Sequence, residues 1–156
     1  MPGANGLNVM VVGIDGSDCS RHALRWALYA AAKAPCEVQL VACWQRPLLF
    51  DAGGLGVAYP ADDDLSAAAR TWLEETMTAC QADIDAAIAN GCVVNSRTEL
   101  GAADLVLEEL SKTARLVVVG RRGHNALARF LGTTSRHVAD HACCPVAVIP
   151  EGCPEP

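Results

Sequence analysis

The sequence predicts an α/β fold in which helices cover a parallel β-sheet. Short apolar runs alternate with longer segments of helical periodicity, a pattern that is typical of parallel strands joined by helical crossovers. The runs at 9–14 and 116–119 are almost continuously apolar, which indicates strands that are buried on both faces. A length of 156 residues suits one domain over 1–156, with a core of about 8–150 and a loose tail at 151–156. We expect five strands and four helices.

The first half of the chain contains two of the predicted strands and two helices. The strand at 9–14 is followed by a turn and a helix that ends near residue 33, and the second strand occupies 37–44. Prolines and glycines interrupt the segment 45–63, which is predicted to be a long loop. One helix follows the three aspartates at 62–64 and continues to about residue 90, because apolar residues recur there at helical spacing. The residues of this stripe are Leu73, Met77, Cys80, Ile84 and Ile88.

The second half contains three strands and two helices. A strand at 92–100 is more polar than the others and is therefore predicted at an edge of the sheet. A helix over about 102–113 leads to the buried strand at 116–119. The last helix spans about 134–142, and the final strand spans 146–149 between two prolines.

A strand, a glycine-containing loop and a helix start follow one another between residues 116 and 135. Glycines let a backbone approach a ligand closely because they carry no Cβ. The N–H groups of a helix's first turn point outward at the positive end of the helix dipole. Such a site suits an anion, most simply a phosphate. The residues predicted to contact it are Gly120, Gly123, Gly132, Thr133, Thr134 and Ser135.

The charge pattern around this loop also favours an anion. Between residues 115 and 139 there are five arginines, at 115, 121, 122, 129 and 136, and no acid, although the chain has a net charge of −6. We expect these arginines to provide the counter-charge of a polyanion. Two common phosphate motifs are absent. No lysine follows Lys112, as the P-loop would require, and only Gly13 and Gly16 follow the first strand where a dinucleotide fingerprint would need three glycines.

The glycine spacing resembles that of the universal stress protein family. Nucleotide-binding members carry Gly-x2-Gly-x9-Gly-Ser/Thr between the fourth strand and the last helix, whereas this chain has Gly120-x2-Gly123-x8-Gly132-Thr133, one residue shorter. The resemblance covers about nine-tenths of the chain. The other matching segments, in family order, are VVGIDGS at 11–17, ALRWAL at 23–28, LVACW at 40–44, GAAD at 101–104 and HACCPVAVIP at 141–150.

The resemblance implies a Rossmann-like sheet of strand order 3-2-1-4-5 with helices on both faces, in which Asp15 and Gly120 become neighbours. It also implies that ATP binds there, with Mg²⁺ as a candidate companion. Asp15 would then contact the ribose or base, or else serve only to cap its loop. Cys43 would line the adenine pocket, or else be a plain core residue. The predicted cofactor-binding residues are Gly13, Ile14, Asp15, Cys43, Val119, Gly120, Gly123, Gly132, Thr133, Thr134 and Ser135.

Composition excludes several other kinds of partner. A pI near 5.1 argues against nucleic acid. No apolar run is long enough to span a membrane, and the N-terminus lacks the features of a signal peptide, so a cytoplasmic protein is expected. His137 and His141 are interpreted as a surface pair in preference to a metal site, and no metal ligand is predicted.

The resemblance further implies a homodimer formed through the final strand, Val146 to Ile149. The eight cysteines are interpreted mainly as small buried residues, with a thiol switch as the alternative for Cys143, Cys144 and Cys153.

No catalytic residue is predicted, because the known motifs of nucleophilic and metal-assisted hydrolysis are absent. The expected function is therefore binding. The resemblance implies a stress-response or regulatory protein that binds ATP or a related adenine nucleotide. His124, inside the glycine loop, would contact a phosphate or else be an ordinary surface histidine. The alternative is a nucleotide-free dimeric scaffold of the same fold with a thiol-redox role.

Overall fold

The computed structural model describes residues 8–46, 61–123 and 132–152. These residues form five strands and five helices in alternating order. The strands are β1 (Val9–Gly13), β2 (Glu37–Trp44), β3 (Val93–Leu100), β4 (Leu116–Gly120) and β5 (Val146–Ile149). The helices are α1 (Asp18–Lys33), α2 (Asp62–Ala79), α3 (Gln81–Ala89), α4 (Ala103–Ser111) and α5 (Thr133–His141).

The five strands form one parallel sheet of order β3-β2-β1-β4-β5, which confirms the predicted fold class and strand order. Strand β1 lies at the centre, pairing Val11 with Gln39 on one side and with Val117 on the other. The direction of winding reverses between β1 and β4, and the carboxyl ends of both strands lie beside this reversal. In open α/β sheets, such a switch point forms a crevice that binds ligands.

Helices cover both faces of the sheet. On one face, α1, α2 and α3 pack on a core that includes Val12, Leu40 and Val118, and on the other face α4 and α5 pack on Val11 and Val117. Adjacent residues of β1 therefore belong to opposite cores, which explains why the whole strand is apolar.

The prediction of one continuous helix from the aspartates at 62–64 to about residue 90 is wrong, since the chain forms α2 and α3 with a turn at Cys80 between them. The N–H of Cys80 still donates to the carbonyl of Thr76 at 3.0 Å, but the backbone of Cys80 has left the helical region. The residues beyond the turn present Ala87 to the core, while Ile88 is 51% exposed. No proline or glycine marks this break, and the apolar residues keep their helical spacing across it. The turn therefore could not be predicted from the sequence.

Most of the predicted loop at 45–63 lies outside the described residues, and helix α2 begins at Asp62, slightly earlier than expected. The guanidinium of Arg46 donates to both carboxylate oxygens of Asp62, at 2.9 and 2.6 Å. This ion pair joins a residue before the part of the loop that lies outside the described residues to a residue after it. No helix in the described part of the chain has the length and hydropathy that a membrane crossing requires.

Candidate functional site

A cleft of about 490 Å³ lies at the carboxyl ends of β1 and β4. It falls within the range of roughly 300–1,000 Å³ that is usual for small-molecule sites. All of the residues predicted as cofactor-binding line it: Gly13, Ile14, Asp15, Cys43, Val119, Gly120, Gly123, Gly132, Thr133, Thr134 and Ser135. The fold thus brings together residues that are separated by as many as 122 positions in sequence, which is the difference between 13 and 135. Whether they contact a nucleotide remains a prediction.

Four further residues line the cleft, and the sequence pattern did not predict them. Ala103 and Leu107 lie one turn apart on α4, Val41 lies near the end of β2, and Ser20 lies in the first turn of α1. A signal existed for the α4 pair, because positions four apart share one face of a helix. The lining of the cleft divides into two groups. We call Ile14, Val41, Cys43, Leu107 and Val119 its apolar half, and the polar half consists of Gly120, Arg122, Gly123, Gly132, Thr133, Thr134 and Ser135.

Asp15 caps the turn between β1 and α1. Its Oδ1 atom accepts hydrogen bonds from the backbone N–H of Ser17 at 3.0 Å and from the Ser17 hydroxyl at 2.5 Å. The Ser17 hydroxyl in turn accepts from the N–H of Ser20 and so caps helix α1. The Asp15 carboxylate also lines the cleft. Loop capping, one of the two roles considered for this residue, is therefore present, and it does not remove Asp15 from the site.

Gly120 ends β4 against the first turn of α1. A Cβ at this position would lie 2.6 Å from Cβ of Cys19 and 2.8 Å from its backbone carbonyl carbon. The missing side chain therefore allows a helix to pack closely on the sheet, which is a different reason for a glycine than access for a phosphate. The two reasons are compatible, because Gly120 also lines the cleft.

Gly123 and Gly132 lie side by side at the polar end of the cleft. A Cβ on Gly123 would lie 2.7 Å from Oδ2 of Asp15, so only a glycine leaves that carboxylate in place. The N–H of Gly132 donates to the carbonyl of Arg121 at 2.9 Å, and the Ser135 hydroxyl lies 3.0 Å from the same oxygen. The start of α5 is thereby fixed against the strand end.

Helix α5 begins at Thr133, one residue earlier than predicted, with Gly132 as its N-cap and with no side-chain cap. The first turn of the helix therefore keeps N–H groups for a ligand. The segment between Gly123 and Gly132, which includes His124 and Arg129, lies outside the described residues.

The expectation that the arginines together surround an anion is wrong for three of the five. Arg115 lies at the amino ends of the strands, opposite the cleft, where its N–H donates to the carbonyl of Val9 at the start of β1. Arg121 and Arg136 are exposed and do not line the cleft. Within the described ranges, Arg122 is the only basic residue among those that line it.

Cys43 lies in the apolar wall with its side chain partly exposed to the cleft. Burial, helped by the charges of Glu99 and Asp104, raises the pKa of its thiol to about 11. At neutral pH this thiol is protonated and acts as a small apolar group. The observation favours a lining role for Cys43 over a reactive one.

The histidine pair on α5 has a structural explanation. Nε2 of His137 lies 2.7 Å from Oε2 of Glu108 on α4, and the rings of His137 and His141 stack with their centroids 4.3 Å apart. The described residues contain no group of three or more His, Cys, Asp or Glu side chains that could hold a metal ion.

Comparison with known proteins agrees with the geometry of the fold. The family model described as "Universal stress protein family" matches residues 7–150. The universal stress protein Rv1996 of Mycobacterium tuberculosis is 29% identical over 154 residues; the match covers 91% of this chain and 48% of that protein. The chain thus spans about half the length of this relative.

Two solved structures are similar along nearly their whole length. A universal stress protein in complex with cAMP is 27% identical, with a TM-score of 0.63 over 92% of this chain and 97% of that one. Universal stress protein UspA from Lactobacillus plantarum is 21% identical, with a TM-score of 0.68 over 94% of this chain and 99% of that one. The family match covers almost the entire sequence, and it agrees with the parallel sheet of order 3-2-1-4-5 and the cleft at its switch point. The chain therefore belongs to the universal stress protein family.

Proposed function

We propose that the chain binds an adenine nucleotide, ATP, in the cleft between β1 and β4 and acts as a regulatory protein of the stress response. The observation that carries the proposal is the division of this cleft. An apolar half suited to a base adjoins a half formed by a glycine loop and the uncapped start of α5, which suits phosphates. Asp15 lines the same cleft, and its carboxylate would accept hydrogen bonds from ribose hydroxyls.

The relatives support the class of ligand. A universal stress protein that is 27% identical is in complex with cAMP, which shares its adenine, ribose and phosphate with the ligand proposed here. We choose ATP over a monophosphate because two separate groups of backbone N–H donors, around Gly120 and Gly123 and at the start of α5, line the cleft and would suit more than one phosphate. Mg²⁺ would accompany the phosphates, with ligands supplied mainly by the nucleotide and water.

Calorimetry with a variant that fills the cleft tests this proposal. Ala103 is the first residue of α4 and lines the cleft, so Ala103→Phe would place a phenyl ring in the space proposed for the nucleotide. We expect wild-type protein to bind MgATP. The affinity of the variant for MgATP should be lower by a factor of about ten or more, a loss of about 1.4 kcal/mol or more. Isothermal titration calorimetry measures both affinities.

Ala86→Phe is the matched control, because Ala86 is an exposed residue of α3 and does not line the cleft. It should bind MgATP as the wild type does. If the wild type gave no heat with any adenine nucleotide, or if both variants bound equally, the proposal would be contradicted. The first of these results would favour the nucleotide-free scaffold.

We further propose a homodimer formed through β5. This strand lies at an edge of the sheet, pairs with β4 on one side only, and its four residues are all partly exposed. Apolar edge strands tend to pair with another strand. Light scattering across a range of concentrations should give about twice the 16.3 kDa of the chain, and a constant monomer mass would contradict this assembly.

The remaining expectations join the same proposal. The protein would act in the cytoplasm, and binding rather than turnover would be its function. A regulatory role would then depend on a difference in surface between the nucleotide-bound and nucleotide-free forms.

A further inference from the structure

Arg122, the arginine that lines the described part of the cleft, forms an ion pair with a residue that follows the last strand. A guanidinium nitrogen of Arg122 lies 3.0 Å from Oε2 of Glu151. Arg122 belongs to the glycine loop and lines the cleft, whereas Glu151 follows β5. The two residues meet because β4 and β5 are neighbours and end together, with the N–H of Arg121 donating to the carbonyl of Ile149 at 2.7 Å.

The surroundings of Cys19 agree with this position of Glu151. Burial raises the pKa of the Cys19 thiol, a hydrogen bond with the Arg122 backbone lowers it, and the nearby Glu151 carboxylate raises it. Cys19 is in the first turn of α1 and packs against Gly120. Glu151 therefore lies beside the same strand end from which the glycine loop departs.

Exposure differs between the two partners of this ion pair. The Arg122 side chain is 22% exposed and the Glu151 side chain is 45% exposed. Glu151 can therefore turn into water at little cost, while Arg122 stays with the loop. Ion pairs with this degree of exposure are weak, so a phosphate can displace the carboxylate.

The charge balance makes this exchange important. The charged residues described as lining the cleft are Asp15 and Arg122, one of each sign. Their charges cancel, so with Glu151 beside Arg122 these three described groups carry one net negative charge, which disfavours a polyphosphate. An anion that enters must compete with the carboxylate for the same guanidinium.

We infer that Glu151 is an internal competitor for the phosphate chain: it holds Arg122 in the unliganded protein and lowers the affinity of the cleft for polyphosphates more than for monophosphates. The inference deepens the proposed function and rests on it. Glu151 would thus set which member of an adenylate series the cleft retains, and a partner that drew Glu151 away would strengthen nucleotide binding.

Isothermal titration calorimetry at low ionic strength tests the inference with MgATP, AMP and tripolyphosphate. The variants are Glu151→Gln, Arg122→Gln and the double variant, with Glu151→Ala as a second removal of the carboxylate. Glu109→Gln is the matched control, because it removes the same charge from an exposed ion pair with Lys112 at the far end of α4. Thermal melting of each unliganded variant verifies that it is folded.

We expect Glu151→Gln to tighten MgATP and tripolyphosphate by roughly fivefold and AMP by about twofold or less. Glu109→Gln should leave all three affinities unchanged. In the Arg122→Gln background, the gain from Glu151→Gln should vanish, since the double-mutant cycle isolates the pair. Tripolyphosphate binding that depends on Glu151, without any binding of MgATP, would support the inference while refuting adenine recognition.

Three results would overturn the inference. One is equal affinity of Glu151→Gln and Glu109→Gln for MgATP, which would leave the proposed function intact. Another is the same gain in the absence of Arg122, which would indicate a general effect of charge. The third is a failure of Glu151→Gln to bind either MgATP or tripolyphosphate.

Discussion

Gly120→Ala is expected to destabilise the protein by about 2–3 kcal/mol, which is the usual cost of forcing extra volume into a packed interior. The added methyl group would lie 2.6 Å from Cβ of Cys19 and 2.8 Å from its backbone carbonyl carbon. Backbone atoms of a helix cannot turn away as a side chain can. Relief would require α1 to move from β4, and Cys19, Ala23 and Leu24 on that helix are fully buried. Urea unfolding measures the change.

Gly132→Ala is the matched control for this prediction. A Cβ on Gly132 would have its nearest neighbour at 3.4 Å, an ordinary contact, and its φ of −59° suits any residue. Alanine is a slightly poorer N-cap than glycine, so a loss of about 0.5 kcal/mol is expected. Equal losses in the two variants would show that the contact between β4 and α1 does not determine the choice of glycine at 120.

Leu107→Ala is expected to cost about 2–4 kcal/mol, as for other large-to-small changes in a core. Leu107 is 1% exposed and belongs to the core between the sheet and α4 and α5. Its Cδ1 lies 3.1 Å from the position that a Cβ on Gly13 would take, so it packs directly on the end of β1. The removed atoms would leave a space that opens onto the cleft and that the rigid sheet cannot close.

Leu105→Ala on the same helix provides the comparison. Leu105 is 59% exposed, so its truncation should change the free energy of unfolding by about 0.5 kcal/mol or less. The two variants share the same helix propensity change, and their difference therefore isolates burial. A similar small loss for both would mean that α4 does not pack on the sheet as described.

Much of the fold follows from local pattern. Val9–Gly13 and Leu116–Gly120 are strands because β-branched apolar residues follow one another, and helices follow where the period changes to 3.6. Strand order came from family resemblance, since sequence spacing alone does not choose the neighbours of a parallel strand. The turn at Cys80 gave no signal because its residues are all compatible with a helix.

The candidate site was predictable where residues follow strand ends, as Asp15 and Gly120 do. The positions of the arginines were harder to predict. Arginines that are close in sequence lie at opposite ends of β4, so they do not all reach the same site. Arg115 precedes β4 and therefore lies about one strand length from Arg122, which follows it. Glu151, which forms an ion pair with Arg122, is 29 residues away, from 122 to 151, and the contact depends on β5 lying beside β4.

Because Gly120 packs against Cys19, a glycine at this position is weak evidence that a protein of this fold binds a nucleotide. Selection would keep a glycine at this position even in a descendant that had lost its ligand, because the helix and strand would still need to touch there. A motif search that counts this glycine therefore measures retention of the architecture. Gly132, where a Cβ would make only ordinary van der Waals contacts, is the position whose replacement would be the earlier sign of lost binding.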